Sequence, residues 1–214
     1  MRAADWYFDF VSPFSYLQLE RLRDWPASVT LRPRPVLFAG LLDHWGTKGP
    51  AEVDAKRTFI YRQVQWIADR EGIALRFPPS HPFNPLRALR LAVALESDLA
   101  AIRAIYRFIW GEGREVGTDE GWHDLARRLG IADADRLVSD PEVKAGLRRN
   151  GEQAIAAGVF GVPTLAIDGM LFWGADATPM ALDYLEHPDR FQTPEMRRIA
   201  TLAVGASRPA GAGT

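Results

Sequence analysis

The feature that most constrains this chain is where its strand signals fall. They occur at the two ends and are absent from the middle. Asp5 to Val11 (Asp-Trp-Tyr-Phe-Asp-Phe-Val) is dense in aromatic residues and reads as a buried strand. Ser12-Pro13 follows as a helix start, serine as N-cap and proline at the first helical position, where its missing N–H costs nothing. Phe14, Leu17, Leu19 and Leu22 carry the helix, and Val29 to Val36 alternates as a second strand with prolines suited to an edge. Strand signals return only at Val162 to Ile167. The turn pair Asp168-Gly169 and a partner strand, Met170 to Trp173, come next. A short last helix is expected after Gly174-Ala175-Asp176, with Thr178 as cap and Pro179 as first position.

Between these ends, from about Val53 to Gly158, the pattern is helical. Phe59, Ile60, Val64 and Ile67 form one apolar stripe; Leu86, Leu89 and Val93, then Ile102, Ile105 and Ile109, form others. Asp119 is placed to cap a helix bearing Trp122, Leu125 and Leu129, and Asp140-Pro141 to start one that runs past Leu147. The expected fold is therefore α/β: β-α-β, a large all-helical insertion, then β-β-α, with helices on both faces of a small mixed sheet. The expected division is 1–40 with 159–204 as the sheet domain, 41–158 as the helical insertion, and 205–214 as a flexible tail.

Composition narrows the chemistry. The chain of 214 residues contains no cysteine, which excludes disulfides, thiolate metal sites and any protein-borne thiol reaction. Its four histidines, His44, His81, His123 and His187, lie far apart without metal-ligand spacing, so no metal is expected. A net charge of -1 gives no global electrostatic case for nucleic acid or an anionic membrane, and no apolar run is long enough to span a bilayer. The N-terminus does not read as a signal peptide, so a cytoplasmic location is expected.

Three short segments stand where strands meet helices, and each admits two readings. Ser12 is an N-cap, or a hydroxyl that donates to an anion held at the helix terminus. Pro163 is an ordinary edge-strand proline, or one preceded by a cis peptide bond that leaves the Val162 N–H and C=O free to pair with an extended peptide. Trp173-Gly174-Ala175-Asp176 is a tight turn, or a set of N–H groups and a carboxylate for the ends of a zwitterion. Gly111-Glu112-Gly113 lies between helical segments and is not a dinucleotide motif, and Arg87, Arg90 and Arg103 read as exposed helix charges.

Together, Asp9-Phe10-Val11-Ser12-Pro13-Phe14-Ser15-Tyr16, Phe160-Gly161-Val162-Pro163-Thr164 and Trp173-Gly174-Ala175-Asp176 resemble the 2-hydroxychromene-2-carboxylate isomerase family. That family sits with the kappa-class glutathione transferases and DsbA-like proteins in the thioredoxin fold. The resemblance runs from about Asp5 to Leu185 and includes Trp110-Gly111-Glu112-Gly113. It implies glutathione as cofactor, with Ser12 at the position of the first redox cysteine of relatives and in contact with the glutathione sulfur. It further implies that Phe14, Val162 and Pro163 flank the cysteinyl part, and that Trp173, Gly174, Ala175 and Asp176 hold the γ-glutamyl end. The implied substrate is a small aromatic oxo acid and the implied assembly a homodimer. The implied activity is glutathione-dependent cis-trans isomerisation, with a kappa-type glutathione transferase or peroxidase, or a non-redox thioredoxin-fold binding protein, as the alternatives. At the substrate end the chain departs from the family pattern. Leu42 or Asp43 stands at the family's lysine position, with Lys48, Lys56 and Arg57 nearby, and Ala177 replaces an arginine of kappa-class relatives. His81 takes the place of a substrate-contacting aromatic, so Lys48, His81 and Asn84 are the candidate substrate residues.

Overall fold

A computed structural model describes residues 2–206. They form two compact units, one up to Thr178 and one from Pro179 onward. The first unit is built on a four-stranded sheet in the order β2-β1-β3-β4. Strand β1 (Arg2–Phe8) runs parallel to β2 (Val29–Pro35) and antiparallel to β3 (Thr164–Ile167), which pairs antiparallel with β4 (Met170–Trp173). The mixed thioredoxin-like sheet expected from the two chain ends is thus formed. Pro33 and Pro35 lie in β2, an edge strand, where a missing ladder donor is tolerated. Asp168 and Gly169 both adopt positive φ, 51° and 83°, the twist that a two-residue hairpin between right-twisted strands requires.

β1 is the axis of the core, because both of its faces are covered. On one face Trp6 stacks on Phe8 at 4.4 Å, and Tyr106 packs against Phe8 and Phe10 at 5.8 and 4.7 Å. On the other, Tyr7 joins Val36, Leu41, Ala154, Val159 and Val162. Asp5, one residue before Trp6, is fixed at the rim by Arg32 and Arg34 of β2.

Helix α1 (Pro13–Arg21) begins as the serine-proline pair dictates. The helical segment follows β2: α2 (Phe38–Trp45), α3 (Asp54–Glu71), α4 (Leu86–Ala94), α5 (Leu99–Tyr106), α6 (Asp119–Arg128), α7 (Ala134–Ser139) and α8 (Pro141–Ala156). α5 passes directly into a π-helical turn, Arg107–Gly111. Three details differ from expectation. β1 ends at Phe8 instead of Val11, because the Asp9 side chain turns the backbone there. Phe59 is 64% exposed, outside the stripe by which Ile60, Val64 and Ile67 pack beneath α1. The cap of α6 is Thr118, whose hydroxyl accepts from the Gly121 N–H, and Asp119 is the first helical residue.

Near the end of the first unit a 3₁₀ turn, Ala175–Ala177, leads to α9 (Thr178–Glu186). Thr178 is not its cap: it is already helical, and its hydroxyl donates to the Ala175 carbonyl at 2.8 Å. The second unit adds α10 (Pro194–Ile199), a helix beyond the last one expected from sequence. Within it Asp183 pairs with Arg190. Of the expected tail, 207–214 lie outside the described residues. No helix among the described residues is long and apolar enough to cross a membrane.

Candidate active site

The site is built around the turn that joins β1 to α1. Asp9 is fully buried, and its carboxylate accepts from the N–H groups of Val11 at 3.0 Å and Phe38 at 2.8 Å. One side chain therefore bends the chain out of β1 and satisfies the first donor of α2. Burial pushes its pKa up to about 7 against those two stabilising hydrogen bonds. At neutral pH Asp9 is poised between its two protonation states.

Three side chains of the helical segment hold the carbonyls of this turn in sequence. The Tyr106 hydroxyl donates to the Asp9 C=O at 2.9 Å, Trp110 Nε1 to the Phe10 C=O at 2.8 Å, and His81 Nε2 to the Val11 C=O at 2.8 Å. Because a carbonyl only accepts, Nε2 carries the hydrogen, and neutral His81 presents its lone pair at Nδ1 to the Tyr61 hydroxyl, 2.6 Å away. Burial lowers the His81 pKa, and Arg57 lowers it further, against the favourable bond to Val11. His81 thus works as a neutral strut with both ring nitrogens engaged.

Ser12 follows this turn. It is 6% exposed, its N–H donates to the Asp9 C=O at 3.0 Å, and its Oγ accepts from the Ser15 N–H at 3.2 Å. The hydroxyl oxygen is used as an acceptor, which leaves its O–H as a donor. The Phe14 N–H makes no backbone hydrogen bond among the described residues. Hydroxyl, free N–H and the positive end of α1 therefore converge at one helix terminus. Beside them lies a pocket of about 90 Å³ whose lining includes Ser12, Phe14, Phe38, Glu52, Ile60 and His81. No lysine or arginine lines it, and the carboxylate of Glu52 is spent on the Gly49 N–H at 2.6 Å.

The other two motifs meet through a backbone bond: the Gly174 N–H donates to the Pro163 C=O at 2.8 Å. The Val162–Pro163 peptide is cis, as is His81–Pro82, for which the sequence carries no signal. Neither the N–H nor the C=O of Val162 takes part in a backbone hydrogen bond among the described residues. The indole of Trp173 lies close enough to Gly161 that a Cβ there would come 2.6 Å from its Nε1, and Phe160 packs on its edge at 5.0 Å. Gly174 adopts φ 96°, open to glycine and strained for any other residue. Asp176 is exposed and forms no hydrogen bond or ion pair among the described residues, whereas Ala175 is buried and offers only its backbone. Buried Gln18 ties this turn to α1: its Nε2 donates to the Gly174 C=O at 3.1 Å and to the Thr178 hydroxyl at 3.0 Å, and its Oε1 accepts from Trp6 at 2.8 Å.

The chain therefore brings together Ser12, Phe14 and His81 at one pocket and joins Pro163 to Gly174. Two of the substrate candidates expected from sequence stand elsewhere. Lys48 is exposed and does not line the Ser12 pocket, and Asn84 accepts from the Leu86 N–H at 3.0 Å at the start of α4. Arg57, considered as a substitute cation, is engaged by Asp54 at 2.6 Å and the Ala51 C=O at 3.2 Å.

A family model, the DSBA-like thioredoxin domain, matches residues 4–186. The chain belongs to that family. Within it, the chain is 31% identical over 193 residues to 2-hydroxychromene-2-carboxylate isomerase of Sphingobium xenophagum, covering 86% of this chain and 96% of that one. It is 27% identical over 213 residues to glutathione S-transferase kappa 2 of Caenorhabditis elegans, covering 87% and 93%. Membership in the 2-hydroxychromene-2-carboxylate isomerase family, alongside the kappa-class transferases, follows from these matches. A solved 2-hydroxychromene-2-carboxylate isomerase shares the DSBA-like fold with a TM-score of 0.75 at 24% identity, over 89% of this chain and 97% of that one. The fold is also that of a cytosolic disulfide reductase of Pseudomonas aeruginosa solved with GSH, with a TM-score of 0.55 at 16% identity, over 92% of this chain and 99% of that one. With no cysteine, this member cannot perform disulfide exchange itself.

Proposed function

We propose that this protein binds glutathione at the α1 terminus and uses it to isomerise 2-hydroxychromene-2-carboxylate or a similar conjugated oxo acid. The observation that carries the proposal is the corner itself: a shielded serine with a free O–H, beside an unpaired N–H at a helix terminus.

Three features support a fit to glutathione. Ser12 O–H and Phe14 N–H are donors suited to a sulfur anion. The unpaired Val162 N–H and C=O suit the extended backbone of a cysteinyl unit. Exposed Asp176 suits the ammonium of a γ-glutamyl end, with Trp173 and Gly174 framing it. Bound glutathione supplies a thiolate that adds reversibly to an electrophilic carbon, which frees a double bond to rotate. The protein's part is to favour the ionised thiol: one charge-assisted hydrogen bond and a helix terminus contribute about 1–3 kcal/mol, roughly one to two pKa units. The clamp of Tyr106, Trp110 and His81 holds the turn that presents Ser12, so this electrostatic field is preset.

A second reading, a kappa-type glutathione transferase, is favoured by one observation: no cation lines the Ser12 pocket to meet a substrate carboxylate. Turnover separates the two. Isomerisation of the chromene carboxylate that occurs only with added glutathione supports the first. Conjugation of a neutral activated aryl halide without isomerase turnover supports the second, and isomerisation independent of glutathione contradicts both.

A further inference from the structure

Arg90 departs from the exposed helix charge that its place in the sequence suggests. Its neighbour in that reading, Arg87, pairs with Asp119 at 2.8 Å and lies over the Trp122 ring. Arg90 is half-buried, and its Nε is closed off from solvent with no hydrogen-bond partner. No carboxylate among the described residues reaches its guanidinium, and only Nε is both buried and unpartnered, so the terminal nitrogens keep access to solvent. Its Nε bears a desolvation cost that no contact of the described chain offsets, while the terminal nitrogens stay open to a ligand.

What surrounds Arg90 gives it a purpose. It lines a groove of about 330 Å³ between α2, α4 and α8, near the lower end of the range small-molecule sites occupy. Leu37, Leu41, Leu86, Leu147 and Ile155 make the lining apolar. Three cations, Arg90, Lys144 and Arg148, face one carboxylate, Glu152, which approaches Arg148 at 3.8 Å. Lys144 forms no ion pair among the described residues, so two positive charges remain unmatched over an apolar floor.

We propose that this groove binds a small carboxylic acid with an apolar body, the carboxylate forked by the terminal nitrogens of Arg90 and the body resting on the leucines of α2 and α4. The fork geometry of arginine suits a carboxylate, and Lys144 adds charge at the rim. A polyphosphate fits poorly, since it would set most of its oxygens against hydrocarbon. The groove is separate from the Ser12 pocket: α2 gives Phe38 to that pocket and Leu41 to the groove, and no residue lines both. The inference does not rest on glutathione use.

Calorimetric titration of the whole protein with cyclohexanecarboxylate, and with cyclohexanecarboxamide as its neutral isostere, tests it. The acid is expected to bind. Arg90→Met, which keeps the aliphatic stem, weakens it about tenfold or more, the scale of a hydrogen bond to a charged group. Lys144→Gln, a surface change, weakens it a few-fold. The amide binds at least tenfold more weakly than the acid and is indifferent to both substitutions. Glutathione binding is unchanged by Arg90→Met and is not displaced by the acid. If Arg90→Met does not fold, Lys144→Gln and the acid-amide pair decide. Absence of binding to the wild type, equal binding of acid and amide, unchanged acid affinity in both variants, or competition with glutathione would overturn the proposal.

Discussion

The two sides of the turn that joins β1 to α1 differ in how they are made. The α1 side is local. Ser12, Pro13 and Phe14 are consecutive, their geometry is that of an N-cap with proline at the first position, and the cap bond to Ser15 spans three residues. The clamp side, which holds the turn before Ser12, is assembled from far away. His81, Tyr106 and Trp110 come from distant parts of the helical segment and converge on the carbonyls of Val11, Asp9 and Phe10, with Tyr61 behind the His81 ring. The first side supplies the donors that chemistry needs. The second fixes where those donors point, and the difference predicts that changes to the distant side alter stability and geometry while changes to the local side alter chemistry.

The sharpest break is at Asp9, which serves both sides. Asp9→Ala leaves the part-buried N–H groups of Val11 and Phe38 without an acceptor and is expected to cost about 2–6 kcal/mol, from roughly 1–3 for each orphaned donor. Chemical denaturation measures this loss. Asp9 also sets a pH dependence. Its folded pKa of about 7 exceeds the unfolded value of 3.8, so the folded state binds more protons than the unfolded state between these values. Stability from this group is full below the unfolded value and declines as pH rises towards 7. Melting temperatures across that window reveal the slope, and Asp9→Asn flattens it.

His81 has the opposite sign. Its folded pKa is lowered from 6.5, so its contribution is present above 6.5 and is lost as pH falls below it. His81→Phe keeps the ring among Phe77, Phe83 and Trp110 and strands the Val11 carbonyl. A loss of about 1–3 kcal/mol is expected, with the acid-side decline removed. Glutathione affinity falls less than in Ser12→Ala if the clamp only positions. A larger fall in the His81 variant would break the division between the two sides.

Smaller effects are expected at the rim. Gly161→Ala forces the Trp173 indole off the backbone and weakens glutathione binding several-fold with little loss of stability, a difference that calorimetry and melting together resolve. Lys48→Ala leaves both unchanged, since Lys48 is exposed and does not line the pocket.

The same division explains what could be read from sequence. Ser12-Pro13, Asp168-Gly169 and Asp140-Pro141 act through the chain within a few residues, so their caps and turn appear where the residues say. β1 stops short of Val11 because Asp9 bonds to the N–H two residues on, a competition that a run of aromatics conceals. The roles of Gln18, Tyr61, Tyr106 and Arg90 were not legible, since each depends on a partner, or the lack of one, more than ten residues distant. Trp110 stood in a recognisable motif, yet its bond to the Phe10 carbonyl spans 100 residues and no local pattern announces it.

The central claim is that Ser12 favours the ionised form of glutathione. Ionisation of protein-bound glutathione, followed by thiolate absorbance across a pH titration in the wild type and in Ser12→Ala, tests it most directly. The account predicts that the wild type lowers the bound thiol pKa by roughly one to two units and that Ser12→Ala returns most of that shift while the fold is retained. An unchanged thiol pKa and an unchanged affinity in Ser12→Ala would contradict it, and would leave Ser12 as a helix cap alone.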